Sequence, residues 1–218
     1  MALDYLITNA TVVDGTGSAP YVANIGIKDG RIVGIGNGEP PEAAETFDAS
    51  GLVAAPGFID NHTHYDAQLF WDPMVTPSNV HGVTTVLGGN CGFTLAPLKP
   101  QDADYIRRMM QKVEGMPLEA LETGVPWGWE TFSEYLNAVE GAGIAVNAGF
   151  LVGHCAIRRY VMGADATDRE ATDDEIKQIV ALLHESIEAG GLGLSTTLSN
   201  THSDSSWPNT RAVAEEQR

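Results

Sequence analysis

The sequence predicts an α/β protein in which a small antiparallel hairpin unit precedes about four β/α units with parallel strands. Three observations lead there. Residues 4–35 alternate apolar and polar positions between turn signals; residues 52–197 alternate strand-like runs with helical periodicity; and those later runs are rich in small and β-branched residues without strict alternation, as strands covered on both faces are.

Residues 4–14, DYLITNATVVD, make the first strand, and Gly15-Thr16-Gly17 closes it as a turn. Residues 21–28 and 31–35 make the next two, joined by Asp29-Gly30, a dipeptide suited to the positive φ values of a type I′ turn. An acidic, proline-containing connector spans 38–45. The expected domains are therefore 1–51 and 52–218. In the second, strands are expected at 52–59, 83–90, 144–152 and 192–197, and helices at 102–113, 129–139 and 173–189. The last helix is the best marked: Ile176, Ile179, Val180, Leu183 and Ile187 recur at helical spacing, Thr172 and Glu175 form a capping box, and Gly190 sits at the exit. Residues 209–218 begin another helix that stops without a C-terminal cap, which predicts a chain cut from a longer one. Four parallel strands equally make a small open sheet, and periodicity alone leaves both readings open.

Composition excludes several functions. A net charge of −17, from 12 basic and 29 acidic residues, argues against binding nucleic acid or an anionic membrane surface, since phosphate binders need a basic face. No apolar run approaches the roughly 18 residues of a membrane span, and no secretory leader is recognisable, so a cytoplasmic protein is expected. Two cysteines, Cys91 and Cys155, cannot form the disulfide framework of a small secreted domain.

The stretch that organises the chain is GFIDNHTH, residues 57–64. Alternate residues of a strand share a face, so His62 and His64 point the same way, with Asp60 in the same parity. A bare His-x-His is a common pair; its context makes it a candidate metal site. Chemistry-bearing residues gather at the ends of successive strands: His62 and His64, then Asn90 and Cys91, then His154 and Cys155, then Ser195 and Thr196. Imidazole and thiolate together favour Zn²⁺ over Mg²⁺ or Ca²⁺. Cys91 lies in GGNCGF, where flanking glycines leave the thiol accessible, whereas Cys155 is one residue out of register with His154 and is expected to be structural.

The segments DASGLVAAPGFIDNHTH, GVTTVLGGNCGFTLAP, LVGHCAIRRYVMG and EAGGLGLSTTLS resemble the N-terminal part of the N-acyl-D-amino-acid deacylases (D-aminoacylases) of the amidohydrolase superfamily. The resemblance covers essentially all 218 residues, and GNCGF with PGFIDNHTH separates this branch from the hydantoinases and dihydroorotases, which share only the His-x-His element. It implies that residues 1–51 are a β-sandwich segment, incomplete without C-terminal strands, and that 52–218 are the first half of a TIM-like (β/α)₈ barrel. It also implies a Zn²⁺ site on His62, His64 and Cys91. Two further histidines and a general-base aspartate would come from later strands, beyond Arg218. The implied reaction is zinc-dependent hydrolysis of the amide of an N-acyl-D-amino acid, which the 218 residues alone are not expected to complete.

Within that frame His154 and Arg158 are the expected substrate-binding residues: His154 as a hydrogen-bond donor or an orienting partner, and Arg158, with Arg159, in the following loop as a fork for a carboxylate. His81 falls at the wrong end of its strand, His184 belongs to a helix stripe, and His202 with Asp204 lies in the loop after the fourth strand. Trp71, Trp127, Trp129 and Trp207 lie in or beside connections after strands, where one or two are candidates to wall an acyl pocket. The loop LSNTHSDSSWPN departs from that of the best-known deacylases and leaves acyl and side-chain preference open. The expected partners are a small N-acyl amino acid and, to cover open sheet edges, the remainder of the barrel or another chain, with no nucleic acid and no membrane. Two rival readings stand: a cyclic amidase of the hydantoinase or dihydroorotase kind, and a non-catalytic half-barrel that binds a partner.

Overall fold

Asp29 and Gly30 take the φ values of 50° and 70° that a type I′ turn requires, and the turn joins β2 (Tyr21–Lys28) to β3 (Arg31–Gly36). The architecture is that of a computed structural model, which describes residues 2–197. It divides into two units, Met1–Gly57 and Phe58–Arg218.

In the first unit β1 (Leu3–Val12) pairs antiparallel with β2, as the alternation predicts. Two further strands pair with β1 in parallel: β4 (Ala43–Asp48) and the short β5 (Val53–Ala54). The wholly antiparallel pairing expected here is therefore corrected: the described residues of this unit form one mixed five-stranded sheet. The strand β4 begins inside the predicted connector because its side chains are nearly all exposed and give no apolar alternation; its pairing is carried by the backbone. The unit's core is small, built on Ala10, Val12, Ala23, Ile25 and Ala49.

The predicted strand 52–59 is split. Leu52 O and Ala54 O accept from Thr11 N and Val13 N in the first unit, whereas Phe58 N donates to Gly82 O in the second. Pro56 stands between, with no N–H to continue a ladder. The boundary consequently falls after Gly57 and not after residue 51. Nor is this strand buried on both faces, since Phe58 and Ile59 are 65% and 66% exposed.

The second unit contains β6 (Phe58–Asp60), β7 (Val83–Gly88) and β8 (Asn147–Phe150), paired in parallel in that order. After Leu151 the same run continues as β9 (Val152–Gly153), paired in parallel with β10 (Leu194–Ser195). All four strand regions predicted from sequence thus carry parallel strands, shorter than expected. Between β7 and β8 lie α1 (Ala103–Glu114), α2 (Leu118–Gly124) and α3 (Phe132–Gly141); α4 (His154–Met162) and α5 (Asp173–Glu188) lie between β9 and β10. The Thr172–Glu175 capping box forms as predicted, and Thr131 with Glu134 makes a second one at α3.

Helix α4 corrects the expected loop around Arg158 and Arg159. No side chain caps its start, and its inward stripe of Ala156, Ile157 and Met162 is interrupted by a buried arginine, so its periodicity is weak. The unit's core joins Val86, Phe93 and Phe150 to Ile106, Met109 and Tyr135 from the helices. Trp129 belongs to this core, its Nε1 donating to Leu95 O at 2.7 Å, and Tyr135 Oη donates to Asp66 O at 3.1 Å. Among the described residues no helix is long and apolar enough to cross a membrane.

Candidate metal centre

The first side of the site is built by the chain leaving β6. Thr63 is buried, and both its backbone N and its Oγ1 donate to Leu87 O, at 3.0 and 2.9 Å. The alternation of the strand is thereby carried past Asp60, with Thr63 turned toward β7 and the rings of His62 and His64 brought to centroids 5.5 Å apart.

The second side follows β7, where Gly89, Cys91 and Gly92 have φ of 72°, 56° and 82°. Left-handed backbone is natural for glycine and strained for cysteine, so this turn survives only because its surroundings fix it. They do so from three directions. Gly89 N donates to Asp66 Oδ1 at 2.9 Å; Asn90 Nδ2 donates to Thr63 O at 3.2 Å and Leu87 O at 2.8 Å; Ser195 Oγ accepts from Gly92 N at 3.0 Å and donates to Gly89 O. The result aims Cys91 at the histidines. Its Sγ lies 3.3 Å from His62 Nε2, and one ligand atom from each of His62, His64 and Cys91 lies within 4.8 Å of the others.

The Cys91 thiol is pushed above its ordinary range by burial and by the carboxylate of Glu114. Burial also lowers His64; Glu114 opposes that shift and His62 adds to it. Asp66, wholly buried, is pushed up to about 7, chiefly by desolvation, while the Gly89 N–H pulls the other way. Two buried polar atoms beside the cluster, His64 Nδ1 and Asp66 Oδ2, have no hydrogen-bond partner among the described residues. Two imidazole nitrogens and a sulfur form a donor set that suits a borderline divalent cation, and such a cation would draw the thiol down toward thiolate.

A family model described as the amidohydrolase family matches residues 45–218. The chain belongs to the amidohydrolase family. A second model, the N-terminal domain of the urease alpha-subunit, matches residues 1–57 of this amidohydrolase. It is 38% identical over 193 residues to a D-aminoacylase of Alcaligenes xylosoxydans xylosoxydans, covering 88% of this chain and 37% of that protein. To the N-acyl-D-aspartate deacylase of the same organism it is 39% identical over 193 residues, covering 88% of this chain and 36% of the relative. A solved structure of an N-acyl-D-glutamate deacylase from Bordetella bronchiseptica, complexed with zinc and a phosphonate inhibitor, superposes with a TM-score of 0.74 at 32% identity, over 91% of this chain and 39% of the other. The chain thus spans a little over a third of the length of the curated relatives it matches.

The remaining sequence candidates fall outside the cluster. His154 is the first residue of α4, and its Nδ1 lies 3.3 Å from Thr196 Oγ1, across the ends of β9 and β10. Arg158, expected to bind substrate, is 1% exposed; its Nε donates to Ala166 O at 2.7 Å and its Nη2 to Arg169 O at 2.5 Å. Those bonds commit the guanidinium to the carbonyls of the turn after α4, which corrects the substrate role. Replacing Arg158 with methionine is expected to lower stability by about 2–3 kcal/mol, because two carbonyls lose a charged donor, while leaving affinity for any substrate of the folded protein unchanged. Thermal denaturation and a KM measurement check the two halves. Arg159 pairs with Asp102 at 2.7 Å and lies over the Tyr105 ring. The Cys155 thiol is pushed up to about 11 by burial, in keeping with a structural residue. His202, Asp204, Trp207, the loop that contains them and residues 209–218 lie outside the described residues.

Sequence reasoning missed Asp66 and Glu114. Asp66 follows the histidines in THYD, but a carboxyl in a turn carries no signal of burial. Glu114 carried one: it stands four residues after Met110 and eight after Ile106, a charge on the apolar stripe of α1.

Proposed function

We propose that this chain carries the His62, His64 and Cys91 part of a zinc-dependent active site that hydrolyses N-acyl-D-amino acids to a carboxylic acid and a D-amino acid. The observation that carries the reading is the convergence of two imidazoles and a thiol within 4.8 Å at the ends of adjacent parallel strands. Kinship with deacylases of N-acyl-D-amino acids narrows the substrate class. On this reading β6, β7, β8 with β9, and β10 are the first half of a TIM-like barrel, whose C-terminal strand ends carry the chemistry.

Zinc, when bound, supplies Lewis acidity that polarises the amide carbonyl and makes water acidic near neutral pH. The chain's own residues do the rest. His62 and His64 would hold the metal through neutral nitrogens and Cys91 as thiolate, while the bonds of Asn90 and Ser195 hold the Cys91 turn in place. His154 is proposed to donate a hydrogen bond to the substrate, with Thr196 orienting its ring. Hydrolysis also needs a carboxylate to take the proton of water and pass it to the leaving amine; among the described residues the ligand cluster includes none, so the assay belongs with the whole protein.

In the whole protein, hydrolysis of N-acetyl-D-methionine is expected, lost on chelation and restored by zinc, with the L enantiomer a poor substrate. Good turnover of a hydantoin with none of N-acetyl-D-methionine would replace this reading with the cyclic amidase. No turnover of either by the folded, zinc-loaded whole protein would remove the deacylase and cyclic amidase readings together.

A further inference from the structure

The last residue of α1 is a glutamate where a helix favours a cation. The helix dipole places partial negative charge at that end, so Glu114 stands against the local field. Its spacing from Ile106 and Met110 carries it on the face that packs inward. There it is not left to solvent: the side chains of Glu114 and His64 are each 19% exposed, and Glu114 Oε1 lies 3.7 Å from His64 Nδ1. That nitrogen is buried and has no hydrogen-bond partner among the described residues. At 3.7 Å the two atoms stand as an ion pair, a little beyond hydrogen-bond distance.

A carboxylate 3.7 Å from a buried imidazole nitrogen that has no hydrogen-bond partner among the described residues favours the proton on that nitrogen. Metal-binding imidazoles are commonly held by a carboxylate on the nitrogen away from the metal, which fixes the tautomer and strengthens the donor nitrogen.

We propose that Glu114 is a positioning residue for the metal centre: it accepts the Nδ1 hydrogen of His64, holds that ring with Nε2 free for the metal, and favours the cation-loaded state through its own charge. The inference rests on the metal reading above.

The test measures zinc affinity of the whole protein by competition with a chromophoric chelator, in wild type, Glu114→Gln and Glu114→Ala. It also records the tautomer of His64 by nitrogen NMR on the metal-free forms, at a pH above imidazole titration. Glu114→Ala is expected to weaken zinc binding about 10- to 100-fold and to abolish the Nδ1–H preference of His64. Glu114→Gln keeps an acceptor without the charge and is expected to fall between. A purely structural role would move neither readout. If wild type holds zinc and Glu114→Ala holds it as tightly with an unchanged tautomer, the proposal is overturned. Should the alanine variant not fold, the near-isosteric Glu114→Gln decides: wild-type affinity together with a wild-type tautomer overturns it as well. If wild type itself binds no zinc, the metal reading fails first and takes the proposal with it.

Discussion

Gly89→Ala is expected to destabilise the second unit by about 4 kcal/mol or more, enough to leave little folded protein. A Cβ at this position would stand 2.0 Å from Leu151 O and 2.8 Å from Thr94 Cγ2, on a backbone with φ of 72°. The carbonyl cannot retreat cheaply, because Leu151 is the residue at which the third strand passes from pairing with β7 to pairing with β10. Its own N–H is bonded to Gly88 O at 3.0 Å. Gly143 separates strain from crowding: its φ is 67°, and a Cβ added there would meet nothing within 4 Å. Gly143→Ala is accordingly expected to cost only about 1 kcal/mol, the backbone term by itself. Thermal or urea denaturation of the two variants side by side gives the comparison. Equal stabilities would mean that the turn before Cys91 is not packed as tightly as its geometry requires.

The second large effect is expected at Cys91. Cys91→Ala removes the one sulfur of the cluster while leaving both imidazoles, and zinc affinity is expected to fall by more than about 100-fold, beyond the cost of losing an outer-shell partner. Hydrolysis by the whole protein should fall with it. Stability without metal should change little, by about 1 kcal/mol or less, because the side chain is only half-buried and the strained φ of 56° is not relieved by alanine. Metal content after dialysis, read together with a melting curve of the metal-free protein, separates loss of a ligand from loss of the fold. Full metal content in a well-folded Cys91→Ala variant would remove the thiol from the centre.

Much of this was legible from the chain, and the reasons differ from place to place. The parity of His62 and His64 is a property of extended backbone, so it persists past the end of β6, where Thr63 keeps the alternation by bonding to Leu87. Asp29-Gly30 and the Thr172–Glu175 box are local signals, decided within a few residues, and both form as read. What was misread depends on partners distant in sequence. Whether residues 53–54 join β1 or a strand of the next unit cannot be seen in a run of small apolar residues; only the missing N–H of Pro56 hints at the break. The strand β4 is invisible because an exposed edge strand needs no apolar face. Arg158 reads as a loop fork for a substrate carboxylate until Ala166 and Arg169 are seen to receive it. Glu114 falls just beyond the predicted helix 102–113, and its place beside the histidines is seen only when His64 is found 3.7 Å away.

The central claim is that His62, His64 and Cys91 hold one cation between them, and X-ray absorption at the zinc edge tests it most directly. In the zinc-loaded whole protein the first shell should contain one sulfur at about 2.3 Å beside nitrogen or oxygen at about 2.0–2.1 Å, and the sulfur should vanish in Cys91→Ala. A shell of nitrogen and oxygen alone, identical in wild type and variant, would contradict the account.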